Sequence, residues 1–389
     1  MTNPDVLGAG MTRMGRLPEG PAELAQEASR LALADAELEA KELAMVVSAN
    51  AMGGVLSAQE SIRGQSWLRE LGLGPVPVFN VENGCAAGSS GMNLACRAVR
   101  GGETPVLVVG VEKMWTGSRS DTLAAIENCL PAEERPHLAT SLPDGQGSLF
   151  MALNSTWAQR QMQERGANPE QFAAAAVLAR RNASLNPVAQ HREIPTVQEV
   201  LDSPMVAAPL TRLMCSSFTD GAAAVVIGAG DAGCPIVRAS VVSGGDGSME
   251  YHERLAAVSS AGWSEAEVGP ADVDVVELHD ATAAEGLYAL EATGFFEPGD
   301  AGPATEAGKT AVGADLVVNP SGGLLARGHP FGATGLCQIA ELADQLRGRC
   351  GPRQADGARL GAAINTGGII GGDAACTVVH VLEAGQPAR

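Results

Sequence analysis

At 389 residues, with 45% apolar and 18% charged side chains, the chain is long enough for two or three domains and has the composition of a globular protein. A formal net charge of −19 argues against nucleic acid or an anionic membrane surface as the default partner, while leaving room for a local basic patch on a phosphorylated small molecule. Eight scattered cysteines without a C-x-x-C pair fit reduced thiols rather than disulfides or a metal site; with no signal-peptide layout and no apolar run near the roughly 20 residues of a membrane span, the expected address is the cytoplasm.

In chain order, the amphipathic run 21–38 predicts a helix and the apolar runs 43–50, 75–81 and 105–112 predict buried strands, with a glycine-stopped helix over 89–102 before the third. Residues 115–215 are richer in polar groups and proline. They read as an insertion carrying loops over one face, with one long helix over 169–187. Strands return at 222–230, 235–245, 272–280, 359–368 and 375–383, with helices at 281–294 and 333–348 between them. Strands alternating with helices imply an α/β fold with helix-covered sheets.

The two ends of the chain match each other. GCAAGSSG at 84–91 and GHPFGATG at 328–335 share the pattern G-[CH]-x-x-G-[SA]-[ST]-G, each opening a helix. VVSAN (46–50) parallels VVELH (275–279), and DGAAAVVIGA (220–229) parallels DAACTVVHVL (373–382). Three pairs in one order point to a duplicated α/β half. The expected division is 1–114 with 216–232 as one half, 115–215 as the insertion, and 233–389 as the other half.

In a pseudo-two-fold arrangement Cys85 and His329 occupy equivalent helix starts that approach each other. A helix N-terminus favours a thiolate, lowering a cysteine pKa from about 8.5 towards roughly 3.5–7.5. A facing histidine then takes the proton. For a lone cysteine, packing is the commoner role, and Cys96, Cys337 and Cys376 keep it, being set among apolar neighbours. His279, closing a strand in ELHDATAAE, is a candidate oxyanion donor, and Asp280 either orients it or caps the next helix. The glycine run NTGGIIGG (365–372) offers backbone amides for a second oxyanion site, or is simply a tight connection between strands. His137, His191, His252 and His380 have no comparable setting.

NGCAAGSSG, ELHDATAAE and VNPSGGLLARGHPFGATG together resemble the thiolase superfamily over nearly the whole chain, in the branch of sterol-carrier-protein-type thiolases and their bacterial relatives. The resemblance implies a duplicated five-layer αβαβα sandwich with an inserted loop domain, and a homodimer or tetramer. It implies acyl transfer through an acyl-cysteine on Cys85, activated by His329, with His279 holding the thioester oxygen. The acyl oxygen would sit on the amides of Cys85 and of the turn Asn365, Gly367, Gly368. The substrate would be a coenzyme A or acyl-carrier thioester, with no resident cofactor and no metal, and with 3-oxoacyl thioester chemistry in either direction. Members of this branch often pair with a small zinc-ribbon protein bearing an OB-fold. Thiolases usually carry a second cysteine as acid/base; here the two places for it hold Ile364–Asn365 and Ala281. That departure favours a self-activated acceptor, and keeps two alternatives in view: a retro-aldolase with Tyr251 or Tyr288 as acid/base, and a non-catalytic subunit.

Overall fold

The computed structural model describes residues 3–141, 148–230 and 233–386. The expected limits at 232/233 and 389, and residues 142–147 of the insertion, lie outside the described residues. Among the described residues twelve strands are formed: β1 (Asp5–Met11), β2 (Met45–Ala49), β3 (Val78–Val81), β4 (Val106–Glu112), β5 (Met205–Ala207), β6 (Leu210–Thr211), β7 (Gly221–Gly228), β8 (Ile236–Gly244), β9 (Val275–Leu278), β10 (Val317–Val318), β11 (Leu360–Ile370) and β12 (Asp373–Glu383). Apart from the β5–β6 hairpin they run in the order β10-β9-β11-β12-β8-β1-β7-β4-β2-β3.

That order is palindromic about the β8–β1 junction. In each half the central strand, β4 or β11, is parallel to its neighbour on one side and antiparallel on the other. The halves touch edge to edge through a single paired position, Asp5 with Ile236. The structure is therefore two five-stranded sheets of identical order joined at one corner, as the internal repeat requires.

Period-two alternation sorts the strand side chains into layers. Val47, Val108 and Val225 of the first sheet, and Val275, Ala363 and Leu382 of the second, face a shared core with Met92, Val99, Leu336 and Ile339. These last four belong to helices Ala87–Arg100 and Thr334–Leu346, which form the middle layer. Val46, Leu107, Val109 and Val226 point the other way, onto Leu24, Ala28 and Ala32 of helix Pro21–Asp35. Val276, Ile364, Val379 and Val381 likewise pack on Leu255 and Val258 of helix Tyr251–Ala266. Helix, sheet, helix pair, sheet, helix makes five layers.

The short strands β5, β6 and β10 and three larger features depart from the sequence-based expectation. Strand β1 was hidden because its buried positions are Val6, Gly8 and Gly10 rather than β-branched residues. A Cβ on Gly8 would come 2.3 Å from the Ala32 carbonyl, so glycine is what lets the helix lie close on this strand. Helix Tyr251–Ala266 was missed because Ser259–Ser260 and Gly262 interrupt its apolar stripe. The insertion is helical rather than loop-like: Leu149–Arg165 and Pro169–Ser184 are its long members. The first buries Ala152, Asn154, Ser155, Ala158 and Gln161, a mostly small and polar face that carries no hydrophobic signal. The second starts on a capping box, Asn168 and Gln171 exchanging backbone bonds at 2.9 and 3.2 Å around Pro169.

Candidate active site

Cys85 lies in a 3-10 turn, Gly84–Ala86, that runs straight into helix Ala87–Arg100. His329 stands two residues ahead of the corresponding turn, Phe331–Ala333, rather than within the helix start. The two turns face each other. The Cys85 thiol and one ring nitrogen each of His279 and His329 lie within 4.8 Å of one another, and no other His, Cys, Asp or Glu trio among the described residues comes together this way. The imidazoles meet edge to face, 5.1 Å between centroids at 89°.

Hydrogen bonds orient both rings. Thr334 Oγ1 spends its one proton on the Pro330 carbonyl at 3.0 Å, so His329 Nδ1–H must donate to Thr334 Oγ1 at 2.7 Å. The neutral ring then presents Nε2 as an acceptor on the thiol side. Asn365 Nδ2 donates to the Cys85 carbonyl and to Ser89 Oγ, both at 3.0 Å, which fixes its amide and leaves Oδ1 to accept from His279 Nδ1 at 2.6 Å. Asn365 is thus a bridge behind the nucleophile, not a wall of the pocket, and holds the Cys85 turn and His279 in one frame.

Gly367 and Gly368 do line the pocket. A Cβ on Gly367 would fall 2.2 Å from the Asn83 carbonyl and 2.5 Å from the Ala86 amide, so this turn lies backbone to backbone on the cysteine turn. Asp280 is placed elsewhere. Its carboxylate accepts from the Leu324 amide at 2.6 Å and borders a separate cavity of about 40 Å³ under helix Ala283–Ala292. It anchors the Leu324 backbone rather than orienting His279 or capping the next helix, whose N-cap is Thr282.

The electrostatics differ from the expected preformed thiolate. Burial pushes the Cys85 thiol well above the ordinary cysteine range, with Cys129, Glu285 and Glu112 adding to the rise. Burial, the adjoining His279 and Arg327 hold His329 well below the ordinary histidine range. The resting pair is a neutral thiol beside a neutral imidazole. The helix start does not outweigh desolvation at this buried position.

The pocket above them holds about 420 Å³. Its walls include Phe331 and Ile126, Trp157 and Met151 of the insertion, and Arg16, Arg119 and Arg212. Trp115, also on the wall, has the Arg16 guanidinium 3.9 Å over its ring. Tyr251, Glu285 and Thr366 form a buried polar cluster on one side: Tyr251 donates to Glu285 Oε1 at 2.5 Å and lies 2.8 Å from Thr366 Oγ1. Sequence reasoning singled out none of these as pocket residues except Tyr251, named only as a distant alternative. Glu285 sits six residues after His279 on the next helix, a spacing that could have marked it. Tyr288 is outside the pocket. Of the four histidines without a motif, none lines it; His191 reaches only Ser217 on its rim, at 2.9 Å.

A cysteine at a helix start, two imidazoles beside it and amides from a glycine turn define an acyl-transfer site. Comparison with known proteins agrees. The family "Thiolase, N-terminal domain" matches residues 5–231 and "Thiolase C-terminal domain-like" matches 248–382. The chain is 37% identical to an acetyl-CoA acetyltransferase of Methanothermobacter thermautotrophicus over 395 residues, covering 97% of this chain and 98% of that protein. It is 31% identical to sterol carrier protein 2 of Rattus norvegicus, covering 97% of this chain and 71% of the other. Among solved structures, the Ltp2–ChsH2(DUF35) aldolase aligns with a TM-score of 0.81 at 21% identity over 98% of both chains. Human mitochondrial 3-ketoacyl-CoA thiolase aligns with 0.72 at 18% identity over 98% of this chain and 99% of that one. The chain belongs to the thiolase family, and is an enzyme of the acyltransferase class.

Proposed function

We propose that this enzyme takes an acyl group from a coenzyme A thioester onto Cys85 and passes it to a second substrate, making or cleaving a carbon–carbon bond in 3-oxoacyl thioester chemistry. The observation that carries this reading is the thiol and two imidazoles within 4.8 Å at the floor of a pocket walled by three arginines. In a chain of net charge −19, Arg16, Arg119 and Arg212 on the pocket wall suit the phosphates of the carrier, and Trp115 offers a face for a planar base.

In the first half-reaction Sγ attacks the thioester carbonyl while His329 Nε2 takes the thiol proton. The tetrahedral oxyanion collects amide donors from Cys85 and from the Gly367–Gly368 turn, and the coenzyme leaves as a thiol carrying the proton from His329. His279, with Nδ1 tied to Asn365, places Nε2 where the second thioester's oxygen would gain charge when that ring is protonated. Because the resting thiol is neutral, proton transfer accompanies attack rather than preceding it.

Incubation with acetyl-CoA followed by intact-protein mass spectrometry tests the reading. An acetyl adduct lost in Cys85→Ala supports it; an unmodified parent chain across a panel of acyl-CoA donors overturns it. One observation favours a second reading, a retro-aldolase: Tyr251 does line the pocket, beside Glu285. That enzyme would release an aldehyde or ketone from a β-hydroxy thioester as fast in Cys85→Ala as in the parent.

Self-association belongs to the same proposal. Strand β3 is an open sheet edge, and Phe79 on it is 54% exposed, which supports pairing with a second copy. Light scattering coupled to gel filtration reads the stoichiometry, alone and with any small zinc-ribbon partner. Among the described residues no helix is long and apolar enough to cross a membrane; the cytoplasmic address is part of the proposal, checked by cell fractionation.

A further inference from the structure

Acyl transfer through Cys85 moves two protons, and His329 accounts for one of them. The other leaves the acceptor as its nucleophilic atom bonds to the acyl carbon, and needs its own base close by. Cys215 lines the pocket, but its thiol is occupied by the Thr211 carbonyl at 3.4 Å and is pushed up to about 12 by burial. Cys129 packs near Cys85 without lining the pocket, and its thiol is also pushed up to about 12.

Glu285 is different. It sits in the first turn of helix Ala283–Ala292, is 5% exposed, and lines the pocket together with Cys85, His279 and His329. Its Oε1 is held by the Tyr251 hydroxyl, while Oε2 is buried with no hydrogen-bond partner. A buried carboxylate oxygen left unpaired is costly, so such an atom inside a substrate pocket calls for a partner. The support behind it is rigid. Tyr251 stacks on Trp157 with centroids 4.5 Å apart, and its hydroxyl is tied to Thr366, next to the Gly367–Gly368 turn. Burial raises the Glu285 carboxyl above the ordinary glutamate range, with His279 pulling the other way. A base lifted towards neutrality is better matched to a weakly acidic proton.

We infer that Glu285, steadied by Tyr251, is the base that removes the α-carbon proton of a second acyl thioester, and the acid that returns it in the reverse direction. The inference rests on the acyl-cysteine reading of Cys85. In the forward step Oε2 takes the Cα proton and the electron pair left on carbon forms the new carbon–carbon bond to the acyl carbon. The bond from that carbon to Cys85 Sγ breaks with its pair on sulfur. The protonated carboxyl then hands its proton to the thiolate, directly or through pocket water, so that thiol and carboxylate are both restored. No oxidant, metal or further co-reactant is required. The acceptor this pair selects is a carbon acid, an acyl-CoA with at least one α-hydrogen.

The test follows exchange of deuterium from D₂O into the α-position of acetyl-CoA and propionyl-CoA by mass spectrometry, beside acylation of Cys85 by intact mass. The parent and Cys85→Ala should both exchange. Glu285→Gln should lose exchange by about 100-fold or more while still acylating Cys85 within a few-fold of the parent. Tyr251→Phe removes a hydrogen bond that favours the carboxylate, so the rise of exchange with pH should move to higher pH. Three results overturn the inference: unchanged exchange in Glu285→Gln, no exchange in the parent with either thioester, or exchange and acylation falling together in both Glu285→Gln and Glu285→Asp. Failure of Cys85 to acylate in the parent would instead overturn the acyl-cysteine reading, and is scored separately.

Discussion

The two halves carry equivalent hydrogen-bonded pairs, and only one of them faces the chemistry. In the first half Asn50, at the end of β2, donates to Glu112 at the end of β4 at 2.9 Å. In the second half His279, at the end of β9, donates to Asn365 on β11 at 2.6 Å. Each pair grips the other half's turn: Glu112 Oε2 accepts from the Gly332 amide at 3.0 Å, and Asn365 donates to the Cys85 carbonyl at 3.0 Å. Glu112 is fully engaged, with the Ala51 and Met52 amides also at 3.0 Å. His279 leaves one ring nitrogen free towards the pocket. Each strand-end pair thus clamps the other half's turn, and where one half has Asn50 the other has His279, which also faces the reaction site. Neither turn is held by its own half alone.

The largest way to break this symmetry is His329→Ala. It should slow acylation of Cys85 by about 10³-fold, because the thiol, raised by burial, loses the imidazole that takes its proton. In the parent, His329 is held below the ordinary histidine range and must be neutral to accept the proton. Acylation should therefore persist as pH falls below about 6.5 and fail only further down; a midpoint above that value would contradict the assignment. Stopped-flow release of free coenzyme reads both.

Glu112→Ala attacks the structural clamp. Three backbone amides, two of them buried, lose their acceptor at once, so stability should fall by about 3 kcal/mol or more, read as a denaturant midpoint. Asn365→Ala attacks the other clamp, and should act on rate more than on folding. Loosening both the nucleophile turn and His279 should cost about 10–100-fold in acylation with a shift of no more than about 2 kcal/mol in stability. If the two variants gave the same ratio of activity loss to stability loss, the contrast between the clamps would be wrong.

The last effect shows only in acid and concerns His380 on β12, whose Nε2 faces the Ser89 carbonyl at 3.2 Å in the nucleophile's helix. Burial lowers it to about 4, so the folded protein keeps it neutral while the unfolded chain protonates it near 6.5. The unfolded state then binds more protons between those values, and stability should decline as pH falls from about 6.5 to about 4. His380→Leu should flatten that part of the pH–stability curve while leaving the curve above pH 7 parallel to the parent's.

Much of this architecture was legible because it is written in local patterns. Eight strands and five helices follow from apolar periodicity, and the repeat follows from matched glycine motifs flanking Cys85 and His329. Strand β1 escaped because close helix contact demanded glycines, which carry no strand signal. The insertion's helix Leu149–Arg165 escaped because its buried face is small and polar.

What the amino-acid sequence determined by itself was the duplicated fold, the family, and the identity of the three groups at the centre. Tertiary structure decided their states and their neighbours. Whether Cys85 rests as thiol or thiolate depends on how much water is removed around it, and the sequence motif records only the favourable helix start. Asp280 follows strand β9 and Asn365 lies within β11, and a line of text ranks them alike, yet the fold aims one at the Leu324 amide and the other at the nucleophile's carbonyl. Glu285 and Tyr251, 34 positions apart, become one buried hydrogen-bonded pair only when two helices pack on the same sheet. Proton transfer is decided at distances of about 3 Å, and distances of that kind between remote residues are set by packing rather than by order along the chain.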